Sequence, residues 1–332
     1  DPDASTEGRC AAHLFTSGTT GEPARVSLTF ENLRANARGA RERLSLRVSD
    51  RWMASLSVAH VGGLALVTRA ALLGSALQLG GVFRAGDLKR RILDGSVTHA
   101  SLVPTMLHQL LEVWGGQSPP ESLRCLLIGG AKAEPALLTA ALDQGFPLAL
   151  TYGLTEASSQ VATAPPPLVV SKPGTVGPPL AGVELSISAK GEILVGGPTV
   201  AIGQGDQDGW LHTGDLGRVD EEGHLWVTGR ISHRIISGGV NVDPAEVEAL
   251  LRTHPGVAEA VVLGTPDPVW GERVVAAVVP APGARVRSPE LERLARAALS
   301  PAKRPRAIQV MDTLPRNPNG KVDRKTIRAL FR

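Results

Sequence analysis

Thr16-Ser17-Gly18-Thr19-Thr20-Gly21-Glu22-Pro23 comes directly after the apolar run Ala11 to Phe15. Small hydroxylated residues and glycines let a backbone wrap closely around phosphate oxygens, with N–H groups and hydroxyls donating hydrogen bonds to the anion. The stretch therefore reads as a nucleotide loop carried on a strand. Clusters of these residues also form ordinary solvated turns, so the choice between the two rests on the motifs further along the chain. The loop is distinct from Walker A, since no Gly-Lys-Ser/Thr closes it.

Outward from the loop, Phe30 to Leu44 carries good helix formers, which predicts a strand, phosphate loop, helix order. His99 to Val103, Cys125 to Ile128 and Pro147 to Tyr152 are short apolar runs, separated by the helical stretches Pro104 to Val113 and Pro135 to Gln144. Strands alternating with helices predict a mostly parallel sheet covered on both faces. Pro165-Pro166-Pro167 reads as a short linker, and Val183 to Ile187, Gly191 to Val195 and His224 to Val227 as short antiparallel strands. Beyond Arg230 come a helix (Pro244 to Arg252), two strands (Ala258 to Leu263, Arg273 to Val279) and a helix (Pro289 to Leu299). The expected fold is α/β. Residues 1–230 form a large domain with a mostly parallel sheet and a small β-rich subdomain, and residues 231–332 a small α+β lid domain.

The 332 residues are 42% hydrophobic, enough for a substantial core in two domains. The 35 basic and 32 acidic residues nearly balance, and no basic run is interleaved with aromatics, which argues against nucleic acid. Cys10 and Cys125 are far apart and fit neither a disulfide framework nor a zinc site, so a cytoplasmic setting is expected. The longest apolar stretch, Val58 to Leu79, is broken by His60, Gly62, Gly63, Arg69, Gly74 and Gln78. A buried helix with glycine ends is expected there, not a stable membrane insertion. The histidines lack metal spacing and no Gly-x-Ser-x-Gly elbow is present, so hydrolase and metalloenzyme readings have no support.

Downstream of the loop lie four further blocks, in order: Tyr152-Gly153-Leu154-Thr155-Glu156, Asp208 to Asp215, Gly229-Arg230 with Ile235 to Asn241, and Pro315 to Lys321. With the loop they resemble the adenylate-forming superfamily of acyl-CoA ligases, nonribosomal adenylation domains and luciferases, from about Leu14 to Lys325. Only fifteen residues precede Thr16, so against that family the chain is expected to be incomplete at its N-terminus. The resemblance implies ATP, Mg²⁺ and coenzyme A as cofactor and co-substrates. It also implies that Thr16, Ser17, Gly18, Thr19, Thr20 and Gly21 cradle phosphate. Family members commonly carry lysines in this loop where Glu22 and Ala24 stand here, and Arg25 is a substitute cation. Glu156 is the implied Mg²⁺ ligand, Thr155 touches the α-phosphate, and the Tyr152 ring offers a stacking face for adenine. Gly130, in Leu127 to Ala131, belongs to the nucleotide site. Asp215 accepts hydrogen bonds from the ribose hydroxyls, with Arg230 as co-ligand. Lys321 is the lysine of the adenylation step, a point charge for the carboxylate and α-phosphate. Gly238 and Gly239 let a pantetheine arm pass, and His60 lines the acyl pocket.

Within the superfamily, Thr98 to Leu111, Leu127 to Ala131 and Ser55 to Arg69 resemble the o-succinylbenzoate-CoA ligases of menaquinone biosynthesis. A guanidinium in an apolar stretch costs several kcal/mol unless paired. The second carboxylate of succinylbenzoate would pair Arg69, with Ser158 a further polar contact; alternatively Arg69 reaches a helix end or the surface. The implied activity is a two-step ligase forming an acyl-adenylate and then a thioester. Other acyl- or aryl-CoA ligases, a carrier-protein-directed adenylation domain and a non-catalytic nucleotide-binding module remain open alternatives, and a homo-oligomer is compatible with the sequence.

Overall fold

The computed structural model describes residues 8–17, 23–316 and 322–331. The chain divides into two compact units, Asp1–Thr213 with Gly217–Val227, and Gly214–Leu216 with Thr228–Arg332.

In the first unit, β1 (Cys10–Ser17) pairs antiparallel with β2 (Pro23–Thr29), Leu14 opposite Val26 and Ser17 opposite Pro23. The expected strand, loop, helix order is therefore corrected to strand, loop, strand, helix. Val26 and Leu28 alternate inward and are 1% and 0% exposed, the period-two signal that marks β2. Helix α1 (Phe30–Arg43) starts on a capping box between Thr29 and Asn32, and Arg41 and Arg43 in its last turn complement the helix dipole.

Next along the chain come β3 (Arg51–Ala54), α2 (Val61–Leu73), β4 (Ala76–Leu79), α3 (Ala85–Leu93), β5 (His99–Leu102), α4 (Pro104–Trp114), β6 (Cys125–Ile128), α5 (Pro135–Asp143), β7 (Leu148–Leu154) and β8 (Ser159–Ala164). They build one six-stranded sheet in the order β4-β3-β5-β6-β7-β8, parallel except for β8. Strand β6 shows how both faces are covered. Leu126 and Ile128 pack with Leu88, Leu107, Leu110 and Leu138 from α3, α4 and α5, whereas Cys125 and Leu127 pack with Leu66 of α2, Leu44 and Trp52. Successive strand residues feed opposite layers, so a doubly covered strand reads as a continuous apolar run. Helix α2 ends at Gly74 with φ 67°, as its glycine predicted. Its burial is only one-sided, for Val67 and Leu72 are exposed.

Pro165 to Pro167 does not form a linker: Pro165 caps α6 (Pro166–Ser171), with proline tolerated where first-turn N–H groups lack partners anyway. The strands β9 (Glu184–Ile187), β10 (Glu192–Gly196), β11 (Leu211–Val219) and β12 (Leu225–Arg230) form a second sheet in the order β12-β11-β10-β9.

The second unit contains β13 (Ile235–Ser237), β14 (Val240–Val242), α7 (Pro244–Arg252), β15 (Val257–Asp267), β16 (Gly271–Pro280), α8 (Ser288–Ala298), β17 (Ala307–Val310) and α9 (Arg324–Ala329). Its sheet runs β14-β13-β16-β15, with β17 parallel to β16. Val274, Ala276 and Val278 face Val247, Leu251 and Leu291 of α7 and α8, while Val275 and Ala277 face Leu314, Ile327 and Phe331.

Candidate active site

Ligands of open parallel sheets bind beyond the carboxyl ends of the strands. In the first unit that edge carries His60, six residues past β3; Gly130, two past β6; and Thr155 and Glu156, directly after β7. His60 is exposed at the N-cap of α2, and its side chain makes no capping bond. Gly130 is exposed with φ 77°, and a Cβ on the neighbouring Gly129 would lie 2.7 Å from Thr151 Cγ2, so backbone alone lines this strand end. Thr16 and Ser17 end β1, with Thr16 Oγ1 3.4 Å from the Ala24 carbonyl across the hairpin. Gly18, Thr19, Thr20 and Gly21 lie outside the described residues. Arg25 is exposed on β2 opposite Phe15.

Glu156 rides on a single 3₁₀ turn, Thr155–Ala157, and is partly exposed. Among the described residues its carboxylate has no hydrogen-bond or ion-pair partner, and no cluster of three or more metal-ligating side chains is present. One uncommitted carboxylate fits Mg²⁺, which takes one or two protein oxygens and fills the rest of its shell with phosphate and water.

Two expected contacts take other roles. Tyr152 is 9% exposed and packs with Ala40, Ala157, Val161 and Leu180, which takes the ring into the core and leaves little face for a base. Ser158 is fully buried and its Oγ donates to the Thr199 carbonyl at 2.7 Å, so its hydroxyl serves the chain itself.

Arg69 is set apart from the strand carboxyl ends. Helix α2 runs back against the strands, and the nine residues from His60 to Arg69 carry it about 13 Å toward their amino ends. There Arg69 is 3% exposed, donates Nε–H to the Ala65 carbonyl at 3.1 Å, and holds its Cζ 5.4 Å from the Trp52 ring centroid. Trp52 stacks on His99 at 4.8 Å, and Cys125 lies beside them in register with His99. Burial pushes the Arg69 pKa down to about 10, the His99 imidazole down to about 4 and the Cys125 thiol up to about 12. Arg69 is still charged at neutral pH, and its Nη1 is buried with no hydrogen-bond partner among the described residues. It therefore reaches neither the surface nor the edge where the candidate residues gather. Arg69→Met, which keeps the stem and removes the buried charge, is expected to match or exceed parent stability by about 1 kcal/mol in thermal denaturation. A selective rise in KM for succinylbenzoate in this variant would restore Arg69 as an acid ligand.

In the second unit Asp215 lies within β11, not in a turn, and is joined to Arg230 Nε at 3.2 Å. Their pairing holds the carboxylate 16% exposed. Gly238 and Gly239 form the two-residue turn of the β13–β14 hairpin, with φ 57° and 77°, the primed geometry that hairpins of this length demand. A Cβ on Gly238 would also meet Trp270 Cε3 at 2.7 Å. Turn geometry thus accounts for both glycines without a passing ligand. Arg316 and Val322 form an antiparallel bridge, and Lys321 lies outside the described residues.

Asn32 and the segment 198–201 brace the Glu156 turn, a role not foreseen from the sequence. Their one legible signal is the Thr29-x-x-Asn32 spacing of a capping box.

Residues 1–203 match the family model for AMP-binding enzymes, and residues 246–321 the model for the AMP-binding enzyme C-terminal domain. A 2-succinylbenzoate–CoA ligase of Bacillus cytotoxicus is 40% identical over 96% of this chain and 69% of its own length. The o-succinylbenzoate CoA synthetase MenE from Bacillus subtilis has been solved with its acyl-adenylate intermediate OSB-AMP. It superposes with a TM-score of 0.85 at 38% identity, over 96% of this chain and 69% of that one. Another structure of MenE, with ATP and magnesium ion, gives a TM-score of 0.85 at 37% identity, over 96% of this chain and 70% of that one. ATP-bound MatB from Rhodopseudomonas palustris gives 0.87 at 28% identity, over 97% of this chain and 68% of that one. With the first model spanning well over half its length and a relative of 40% identity along nearly all of it, the chain belongs to the AMP-binding enzyme family.

Proposed function

We propose that this chain is an ATP-dependent acid–CoA ligase that converts o-succinylbenzoate to its thioester through an acyl-adenylate, a step of menaquinone biosynthesis. The observation that carries the choice of acid is the difference in identity: 40% to a 2-succinylbenzoate–CoA ligase against 28% to MatB, while the TM-scores of 0.85 and 0.87 do not separate the two structures. Shared fold gives the reaction class, and side chains choose the acid.

The first half-reaction joins the substrate carboxylate to the α-phosphorus of ATP and releases pyrophosphate. Two anions must be held in line, so the site has to orient them and offset their charge. Thr16 to Gly21 supply neutral donors, Thr155 a hydroxyl at the α-phosphate, and Gly130 a backbone edge for the base. Glu156 would hold Mg²⁺, which when bound neutralises phosphate charge. Asp215, kept in place by Arg230, accepts from the ribose hydroxyls, and Lys321 supplies a positive charge. His60 borders the acyl pocket. In the second half-reaction the coenzyme A thiol loses its proton, its sulfur attacks the adenylate carbonyl, and AMP leaves. With two free cysteines, no helix among the described residues long and apolar enough to cross a membrane, and ATP and coenzyme A as substrates, this reading includes a cytoplasmic location.

The test is a mass-spectrometric thioester assay with ATP, Mg²⁺, coenzyme A and a panel of o-succinylbenzoate, benzoate, malonate and medium-chain fatty acids. Succinylbenzoyl-CoA as the sole product is the expected result. A different thioester would retain the reaction and discard the acid; no product from any of them would overturn the ligase assignment for this chain.

A further inference from the structure

Resting on the reading of Glu156 as the metal-binding carboxylate, we infer that Asn32 and Ser158 are positioning residues that set where this carboxylate points. A single 3₁₀ turn has almost no rigidity of its own. The bond from Ser158 N to the Thr155 carbonyl at 3.0 Å closes it, and the chain leaves through two successive non-glycine residues of positive φ, Ser158 at 58° and Ser159 at 108°. Such backbone costs on the order of 1–3 kcal/mol per residue and persists only where surrounding contacts over-determine it.

Those contacts come from one irregular segment. The Ser158 hydroxyl donates to the Thr199 carbonyl at 2.7 Å, and Ala201 N donates to the Glu156 carbonyl at 2.8 Å, so residues 199–201 grip the turn on both sides of Ala157. The segment is anchored in turn by Asn32. Its Nδ2 donates to the Pro198 carbonyl at 2.7 Å and to the Val200 carbonyl at 3.0 Å, while its Oδ1 accepts from Thr29 N at 2.9 Å. Ile202 N adds a bond to the Ser27 carbonyl at 3.3 Å. Asn32, Ser158 and Thr199 are 7%, 0% and 1% exposed, so water cannot replace these partners. One amide, with its acceptor and both donors in use, therefore ties the end of β2 and the start of α1 to the strap that holds Glu156. No other side chain of this size offers one acceptor and two donors: aspartate lacks the donors and serine the reach.

Outer partners of a metal-binding carboxylate typically change metal affinity by about 10–100-fold when removed. Ser158→Gly is the clean variant, because glycine accepts φ 58° without strain while the hydroxyl is lost. The readout is Mn²⁺ binding to the ATP-loaded protein by electron paramagnetic resonance, with thermal denaturation and metal-free ATP binding alongside. Ser158→Gly is expected to weaken Mn²⁺ binding about tenfold with metal-free ATP binding held and the melting temperature little changed, because relief of the left-handed backbone offsets the donor lost by the Thr199 carbonyl. Asn32→Ala is expected to do the same with some loss of stability, since two buried carbonyls lose their donors. Glu156→Gln separates the two levels of the argument. If it weakens Mn²⁺ binding and Ser158→Gly does not, the positioning role is wrong and the metal assignment survives; if Glu156→Gln leaves Mn²⁺ binding unchanged, both fall.

Discussion

Lys321→Ala is expected to lower acid-dependent pyrophosphate release by about 10²–10³-fold while thioester formation from presynthesised succinylbenzoyl-adenylate continues near the parent rate. The magnitude comes from electrostatics. A unit charge about 4 Å from a developing anion, at the effective dielectric of roughly 20 suited to partly exposed sites, contributes about 4 kcal/mol, and that corresponds to about three decades in rate. The asymmetry comes from the two half-reactions. Adenylation gathers ATP and a carboxylate around one phosphorus, and the loop proposed to meet the phosphates, Thr16 to Gly21, contains no cation and is followed by Glu22. The second step expels AMP from a carbonyl and has no such concentration of charge. Lys321→Arg should recover only part of the loss, because a guanidinium is a planar fork where the reaction needs a compact point charge. Continuous pyrophosphate detection and a separate adenylate-to-thioester assay read the two arms. Equal losses in both would end the assignment of Lys321 to adenylation.

The elements carrying strong periodicity were legible. Pro244 to Arg252, Cys125 to Ile128 and Pro104 onward appear as α7, β6 and α4 where apolar spacing and proline at the first turn put them. What escaped depended on partners distant in sequence. Strand β2 is defined by pairing with β1 across the loop, and the strand, loop, helix order expected from the sequence left no place for it. Thr213-Gly214-Asp215 has turn composition, yet it lies in β11 because the sheet supplies neighbours on both sides. Arg69 shows the limit for site residues. A lone cation in an apolar run signalled something unusual, and the structure places it under α2 against Trp52, where direction along the helix, invisible to composition, decides its neighbours. Asn32 escaped for the opposite reason: an asparagine in a helix's first turn is ordinary, and only the Pro198 and Val200 carbonyls, more than 160 residues away, make it a hub.

Gly153→Ala is expected to produce the largest loss of stability of any single-methyl change near the site. Strand β7 meets β8 at a register shift between Tyr152 and Gly153, and a Cβ on Gly153 would stand 1.8 Å from the Ser159 carbonyl oxygen, 2.6 Å from its carbon and 3.0 Å from Gln160 Cα. These are backbone atoms, with no rotamer to swing away, and Ser159 is already held at φ 108°. Relief requires prising the two strands apart at the turn that carries Glu156. Overpacking of a tight core costs about 1–3 kcal/mol; with nothing flexible to yield, about 3 kcal/mol is expected here. For a unit of roughly two hundred residues that is a fall of about 10 °C in Tm, at 2–4 °C per kcal/mol. Gly74→Ala, in the same unit, supplies the contrast: its φ of 67° is strained for alanine but nothing lies within 4 Å of the added methyl. Left-handed backbone alone costs about 1–2 kcal/mol, so the second variant should melt only a few degrees below the parent. Weaker Mn²⁺ binding should accompany the first variant and not the second, because only Gly153 borders the Glu156 turn. Equal melting losses in the two variants would mean that β7 and β8 accommodate the methyl, and the close approach assigned to Gly153 would not be what fixes the turn.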